Sequence, residues 1–492
     1  MRATGTSKGV LQMPDLKSYF RGGLATLVSA VALGCSPTSP TPLPPSVLIV
    51  LPEDGAVVSV GDTVRVRAEV TAGDGSVLRV EFWADEQLVG TDDTSPYEAD
   101  WNTAGTRVRF SEITATAYDD LGSADTASVR VETLWVYRPP EQVDDGWETE
   151  SLAEVGMDEG LLIDLMNLIR GTPHHRIHSI VIAVGGGLVL EEYFDGLTHP
   201  TIGEEPISYD RDTWHVLSST TKSFTSALLG IAIDRGYIPG VDQPISEFFP
   251  EIPELSQPPK SDLTLEHMIT MSSGLQWDQT TYPILDSRND IARMQRASDP
   301  WQFYLSRPLV STPGSRFLYS EGSINVVGEV IKRASGLRLD HFAEQYLFEP
   351  LGIEQHWWAV IRSDIGFVWA SGDLRLRPRD MARFGQLYLQ GGEWHGQQIV
   401  PQQWVEASVV ARFTFPETPY GDVGYGYAWW VPNQAHGPGA FAARGWGNQE
   451  IIVIPEHEMV VAVTGGAYYE YPFMFPHEII EEWVLPSFGG TP

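Results

Sequence analysis

Cysteine is nearly absent. The 492-residue chain has one, Cys35, so it can form no internal disulfide. Lysine is almost as scarce: five Lys stand against 27 Arg, and beyond residue 35 only Lys222, Lys260 and Lys332 remain. Positive charge as a whole is short, with 32 Lys and Arg against 65 Asp and Glu and a net charge of −33. That balance argues against nucleic acid and an anionic membrane surface as electrostatic partners. It fits solubility or saline surroundings better than catalysis. Long apolar runs are missing too. The stretch at residues 24–33 is about half of what a membrane-spanning helix needs. What remains is ample for a core: 42 % of the residues are hydrophobic, and the length suits two domains rather than one.

The N-terminus has the layout of an export signal. Lys8, Lys17 and Arg21 precede the apolar run, and Gly34-Cys35 follows it. Small residues before a lone cysteine predict a bacterial lipoprotein signal over 1–34, with lipid attached to Cys35. Ala32-Leu33-Gly34 swaps the usual order of Leu and Ala, and an ordinary secretory signal with an incidental cysteine is the alternative. Both readings place the protein outside the cytoplasm, periplasmic or on the cell surface. Residues 35–45 are a Pro/Thr/Ser tether, a composition that stays extended. Residues 46–136 change character, with alternating segments at 64–70, 77–83, 113–118 and 127–132 separated by turns such as Gly73-Asp-Gly75. This pattern predicts an all-β sandwich that resembles bacterial Ig-like domains, notably at residues 51–56 and 95–101. Its expected role is a spacer. Residues 137–150 read as the linker to a second domain, 151–492.

The chemistry is written at residues 219–222, Ser-Thr-Thr-Lys, followed at once by an apolar helical run to Ile233. Residues three apart on a helix share a face. A serine hydroxyl needs a base to become a nucleophile. A lysine serves only if desolvation or nearby positive charge lowers its pKa, and the greasy run predicts that desolvation. A chain that uses arginine nearly everywhere else has reason to keep a titratable amine here. Ser-x-x-Lys alone is a weak signal that chance also produces, and without further support a capped helix start is the better explanation.

Downstream segments decide between these readings. Residues 263–279, Tyr319-Ser-Glu321 within 313–329, residues 372–389 and Arg444-Gly-Trp-Gly447 follow in order. Together they closely resemble the serine β-lactamase-like hydrolases: class C β-lactamases, DD-peptidases, family VIII esterases and 6-aminohexanoate-dimer hydrolases. The resemblance covers about residues 150–490. It implies an α+β domain, an antiparallel sheet with flanking helices plus an all-helical lobe at roughly 240–370, with the site between them. It also implies Ser219 as nucleophile, Lys222 as its base and Tyr319 as the proton shuttle to the leaving group. Gly445, Trp446 and Gly447 match the third motif, whose strand is expected to form the oxyanion hole with the Ser219 amide. No metal or organic cofactor is implied.

Two positions depart from the family. Glu321 replaces the usual Asn of Tyr-x-Asn. It reads as a first-turn carboxylate behind the N-cap Ser320, or else as a contact for a substrate amine. The third motif lacks its lysine, which in the family helps to bind a substrate carboxylate. Arg444 is the adjacent cation that could replace it, and a lysine introduced at 445 is expected to improve β-lactam hydrolysis. Elsewhere, His174-His175-x-x-His178 reads as a polar helix-to-strand connection rather than a metal site. Trp357-Trp358, Trp429-Trp430, Tyr468-Tyr469 and Tyr471 are candidates for core or acyl-pocket positions.

These readings converge on an exported serine hydrolase for small esters or short linear amides, with a small-molecule substrate, a membrane contact through lipid on Cys35 and no nucleic-acid partner. The alternatives are a D-amino-acid peptidase, carboxypeptidase or β-lactamase acting on cell-wall-type peptides, and an inactive surface-binding protein of the same fold.

Overall fold

The computed structural model describes residues 41–103, 109–418, 421–432, 437–469 and 472–489. The export signal, Cys35 and most of the tether lie outside them, as does Tyr471.

Residues 46–134 form the expected all-β region. One sheet places Thr63–Thr71 between Ser46–Leu51 and Tyr97–Asn102. The other runs in the order Val57–Ser59, Ala124–Leu134, Arg109–Asp119, Val77–Ala84, Gln87–Asp92. Side chains two apart on a strand share a face. That alternation sends Val66 and Ala68 from one sheet, and Val80, Phe82, Ile113, Ala115 and Ala117 from the other, into one core closed by Trp101.

The stretch read as a linker is built into the larger body. Trp147 is buried in one of its cores and Trp135, just ahead of the stretch, in the other, and Glu148–Thr149 pairs in parallel with Gly187–Tyr193. It thereby becomes the edge of a nine-stranded sheet. The order is Phe413–Thr418, Gly421–Tyr425, Trp430–Pro432, Phe441–Gly445, Gln449–Ile454, Met459–Gly465, Ile177–Val184, Gly187–Tyr193, Glu148–Thr149. Every pairing but the last is antiparallel.

The sheet is buried on both faces. Along Ile177–Val184, Val181 and Ala183 enter one core while Ile180, Ile182 and Val184 enter the other. Helix α1 (Glu159–Gly171) covers the second face. Asp158 caps it by accepting the Gly160 N–H, and Leu162, Leu165, Met166 and Ile169 are buried at helical spacing. On the first face lie α2 (Thr221–Asp234) and α4 (Pro378–Leu389), and α3 (Glu321–Ser335) packs against α2.

The lobe is helical only in its first part. Short helices run to Leu351, whereas Trp357–Trp358, Val360–Arg362 and Phe367–Val368 are strands. The reason lies in pairing: Trp357–Trp358 joins Leu374–Leu376, which also joins His215–Val216. That small sheet pins the chain immediately before Ser219. No helix among the described residues is long and apolar enough to cross a membrane.

Candidate active site

Ser219 lies in the 3-10 turn Ser218–Thr220 that leads into α2. Ser218 has φ +48°, a left-handed conformation that is unfavourable for a residue with a side chain. Its neighbours hold it there. The Leu217 N–H donates to the Leu374 carbonyl (2.9 Å), and the Thr220 hydroxyl donates to the Gln449 carbonyl (2.7 Å). No side chain caps α2, so helix capping does not explain the serines and threonines at its start.

The helix is buried from Thr221 to Ala232, as its composition predicts. Burial of Phe224, Leu228, Leu229 and Ile231 contributes about 1.5–3 kcal/mol per side chain. That sum outweighs the several kcal/mol lost by taking the Lys222 amine out of water. Lys222 is 2 % exposed, while Ser219 is half-buried and within reach of a ligand. Nζ and the Ser219 Oγ are 2.7 Å apart. Nζ also donates to the Ser371 carbonyl (2.7 Å) and stands 3.8 Å from Glu321 Oε1 and 5.1 Å from the centre of the Tyr319 ring. The three residues expected to carry the chemistry are thus brought together.

Glu321 is in the first turn of α3, and Ser320 caps that helix by accepting the Ser323 N–H (3.3 Å). Its carboxylate turns inward, so the cation it meets is the chain's own Lys222. The Ser371 hydroxyl donates to Oε2 (3.2 Å), and the Asn325 amide donates to Ser371 Oγ (3.0 Å). Burial pushes the Glu321 carboxyl up from its ordinary value, with Lys222 and Ser371 pulling the other way. Burial does the same to Asp373, opposed by Arg375 and Lys222.

The third motif ends the strand Phe441–Gly445 beside this turn. Gly445 packs so closely that a Cβ would lie 2.3 Å from the Leu217 carbonyl oxygen. A lysine at 445 therefore cannot be added without displacing the nucleophile turn, and the expected gain in β-lactam hydrolysis is withdrawn. Gly447 has φ +85°, where a Cβ would strike the Tyr468 ring at 2.2 Å. Trp446 donates its indole N–H to the Tyr468 carbonyl (2.6 Å).

Arg444 is not a site residue. Strand alternation sends Phe441 and Ala443 to the α2 side and Ala442 to the α1 side. Arg444 follows Ala442, and its guanidinium pairs with Glu450 at 3.3 Å, both side chains buried.

Two residues with no assigned role bind the site together. Ser371 joins Lys222, Glu321 and Asn325. Gln449 is fully buried and donates to the Gly447 (3.1 Å) and Gly465 (2.6 Å) carbonyls. Ser371 lies just before the segment 372–389 and Gln449 just after Gly447, and neither is a residue type that announces itself.

The histidines hold a second surprise. His178 is buried on its strand, not in a polar connection, and Nδ1 lies 2.8 Å from His215 Nε2, with Tyr209 stacked on both rings. Burial pushes His178 well below its ordinary range and His215 down to about 3. His199 packs edge-on to Trp446 and Tyr468, with Nε2 3.4 Å from Ser218 Oγ, and burial lowers it to about 4. No cluster of His, Cys, Asp or Glu among the described residues could hold a metal. Of the aromatic candidates, Trp358, Trp429 and Tyr468 are core, and Trp357 and Tyr469 are exposed. Trp430 stacks on Tyr319 with 6.4 Å between ring centres.

Comparison with known proteins agrees with this geometry. The family model "Beta-lactamase" matches residues 166–469, and "Bacterial Ig domain" matches residues 45–131. The chain is 26 % identical over 267 residues to a 6-aminohexanoate-dimer hydrolase of Paenarthrobacter ureafaciens, covering 52 % of this chain and 64 % of that protein. The match thus spans slightly less than two thirds of that relative's length. A putative 6-aminohexanoate-dimer hydrolase structure from Bacillus anthracis superposes with a TM-score of 0.52 at 24 % identity, over 66 % of this chain and 81 % of the other. A family VIII carboxylesterase structure gives 0.53 at 15 %, over 67 % and 97 %. Both likenesses concern the fold alone. The matched model spans well over half of the chain, and the chain belongs to the Beta-lactamase family, with a bacterial Ig domain ahead of the family domain.

Proposed function

We propose that the chain cleaves small esters or short linear amides through an acyl-enzyme on Ser219. The observation that carries this reading is the 2.7 Å contact between a half-buried serine hydroxyl and a buried lysine amine. Ser219 Oγ attacks the substrate carbonyl carbon, its proton passes to Nζ of Lys222, and the carbonyl electron pair moves to oxygen. Main-chain amides of Ser219 and of the third-motif strand receive that oxyanion, and donors of this kind are each worth about a hundredfold or more. As the carbon–leaving group bond breaks, Tyr319 and Lys222 return the proton to the leaving group. Water then repeats the sequence on the acyl-enzyme.

The substrate class follows from charge. The third motif holds no lysine, and Arg444 faces the other side of the sheet in an ion pair. Neither provides a cation for the carboxylate that cell-wall peptides and β-lactams carry, so neutral esters and amides are favoured. The similar protein named above as a 6-aminohexanoate-dimer hydrolase supports short linear amides as substrates. Purified enzyme is expected to turn over p-nitrophenyl butyrate with a kcat/KM orders of magnitude above that for nitrocefin or a D-Ala peptide, and Ser219→Ala is expected to abolish all of it without loss of folding. Equal rates on nitrocefin would overturn the substrate class; full turnover by Ser219→Ala would overturn the nucleophile.

Export and lipidation at Cys35 belong to the same proposal, supported by the signal-like sequence at 1–34. Cys35→Ser should move the protein from the membrane fraction to the soluble one with unchanged specific activity. A variant that stays membrane-bound would sink the anchor.

A further inference from the structure

We propose that Glu321 is a positioning residue that sets the proton state of Lys222, so that the Ser219/Lys222 pair becomes reactive at a higher pH than an uncharged residue at 321 would allow. The inference rests on the reading of Ser219 as nucleophile and Lys222 as its base.

The argument starts from what surrounds one nitrogen. A lysine ammonium has three N–H donors and no acceptor; only the neutral amine can take the serine proton. Around Nζ stand the Ser219 hydroxyl at 2.7 Å, the Ser371 carbonyl at 2.7 Å and Glu321 Oε1 at 3.8 Å. All three are acceptors, which is the set an ammonium wants. Two of them are neutral. Glu321 has the one carboxylate within 4 Å of Nζ among the described residues. An opposite charge at that range favours the charged form of its partner, and burial of both side chains keeps solvent from screening it.

The other charged and titratable groups around Lys222 do not cancel this effect. From the segment before α3 comes Tyr319, whose ring lies 5.1 Å away, with Tyr425 on the sheet beside it. From the loop after Ser371 comes Asp373, a second acid that feels Lys222 and is itself offset by Arg375. The remaining acid, Glu321, is held in place by a hydrogen bond. Ser371 is bonded both to its Oε2 and, through its carbonyl, to Nζ, so a single residue ties the carboxylate and the amine to one another. An amide side chain at 321 could accept from the same donors without contributing charge, so replacing the acid by an amide isolates the electrostatic effect.

The test reads the nucleophile directly. A fluorophosphonate reacts with the serine in one step: the Oγ–P bond forms, the P–F bond breaks with its pair leaving as fluoride, and the hydroxyl proton goes to Lys222. Labelling rates of the full-length enzyme are measured from pH 5 to 10 for wild type, E321Q and E321D. In E321Q the rising limb is expected to move to lower pH by about one unit or more, making labelling at pH 7 about tenfold faster. E321D keeps a carboxylate, and its limb should remain near the wild-type position. E321N, a smaller neutral amide, takes the place of E321Q if that variant does not fold, with the same expected displacement. A limb that stays in place, or moves to higher pH, in a folded neutral variant overturns the inference. Controls separate that outcome from failure of the proposed function: undiminished labelling of Ser219→Ala would remove the nucleophile, and undiminished labelling of Lys222→Ala would remove the base. With both controls silent, an unmoved limb counts against Glu321 alone.

Discussion

Two buried charge clusters in the family domain are built from different cations. In one, Arg379 at the start of α4 is 2 % exposed, with Nε on Glu191 (2.7 Å), one terminal nitrogen on Asp145 (2.8 Å) and the other on the Glu141 carbonyl (3.0 Å). Arg383, one turn later, binds Asp380 (2.8 Å) and the Gly352 carbonyl (2.9 Å). In the other cluster, Lys222 is equally buried, but one of its partners is the hydroxyl of the half-buried Ser219. The arginine fork saturates its carboxylates in a fixed geometry and fastens residues 141–147 to the body of the domain. The lysine presents a single titratable nitrogen to a group that a ligand can reach. On the proposed reading, permanent charge serves the scaffold and exchangeable charge serves the chemistry. The other two lysines among the described residues fit the contrast: Lys260 and Lys332 lie nearer the surface and bind Glu254 and Glu329.

Exchanging the cations is the strongest way to break that comparison. Lys222→Arg should cost about 10²–10⁴-fold in kcat/KM for an ester, within about tenfold of Lys222→Ala, because arginine keeps the charge but cannot give up its proton near neutral pH. An arginine variant with most of the wild-type rate would show that Lys222 acts by charge alone. The reverse exchange should affect a different observable. Arg379→Lys leaves Glu191 and Asp145 short of donors inside the protein, so urea denaturation should show a loss of about 3 kcal/mol. Activity per correctly folded site, counted by phosphonate titration, should hold. If that activity fell while stability stayed, the arginine cluster would belong to the site after all.

The smallest expected effect concerns the buried histidines, which belong to neither cluster. His215 and His199 are held by burial at about 3 and about 4, against an ordinary 6.5. The folded protein keeps them neutral while the unfolded chain takes up protons below pH 6.5. Stability is therefore full above that pH and falls as the pH drops toward 4, by about 1 kcal/mol per histidine between pH 7 and 5.5. His199→Asn should flatten part of that slope in urea midpoints measured at the two pH values. A slope identical to wild type would mean that His199 does not contribute.

Much of the architecture was legible because it rests on local periodicity. The alternation at 64–70 and 77–83 became the strands Thr63–Thr71 and Val77–Ala84, and the apolar run after Lys222 became a buried helix. Local pattern failed where partners come from far along the chain. Trp357–Trp358 reads as helical lobe until Leu374–Leu376 is there to pair with it. Residues 137–150 read as a linker because nothing in their composition shows that Trp147 is buried under other elements.

The sequence by itself determined which groups could do the chemistry. The Ser-x-x-Lys spacing, the scarcity of lysine and the order of the later motifs are properties of the chain, and they singled out Ser219, Lys222 and Tyr319. Only the tertiary structure decided which way the ambiguous residues face. Arg444 and Gly445 are neighbours, yet the two-residue period of a strand sends one into an ion pair with Glu450 and packs the other against the Leu217 carbonyl. Glu321 reads as a helix-dipole residue or else as a substrate contact until α3 packs against α2 and sets its carboxylate 3.8 Å from Lys222. Charge and residue type are inherited from the sequence, but a side chain's direction and its nearest charge come from the packing of segments a hundred residues apart, to which no local pattern has access.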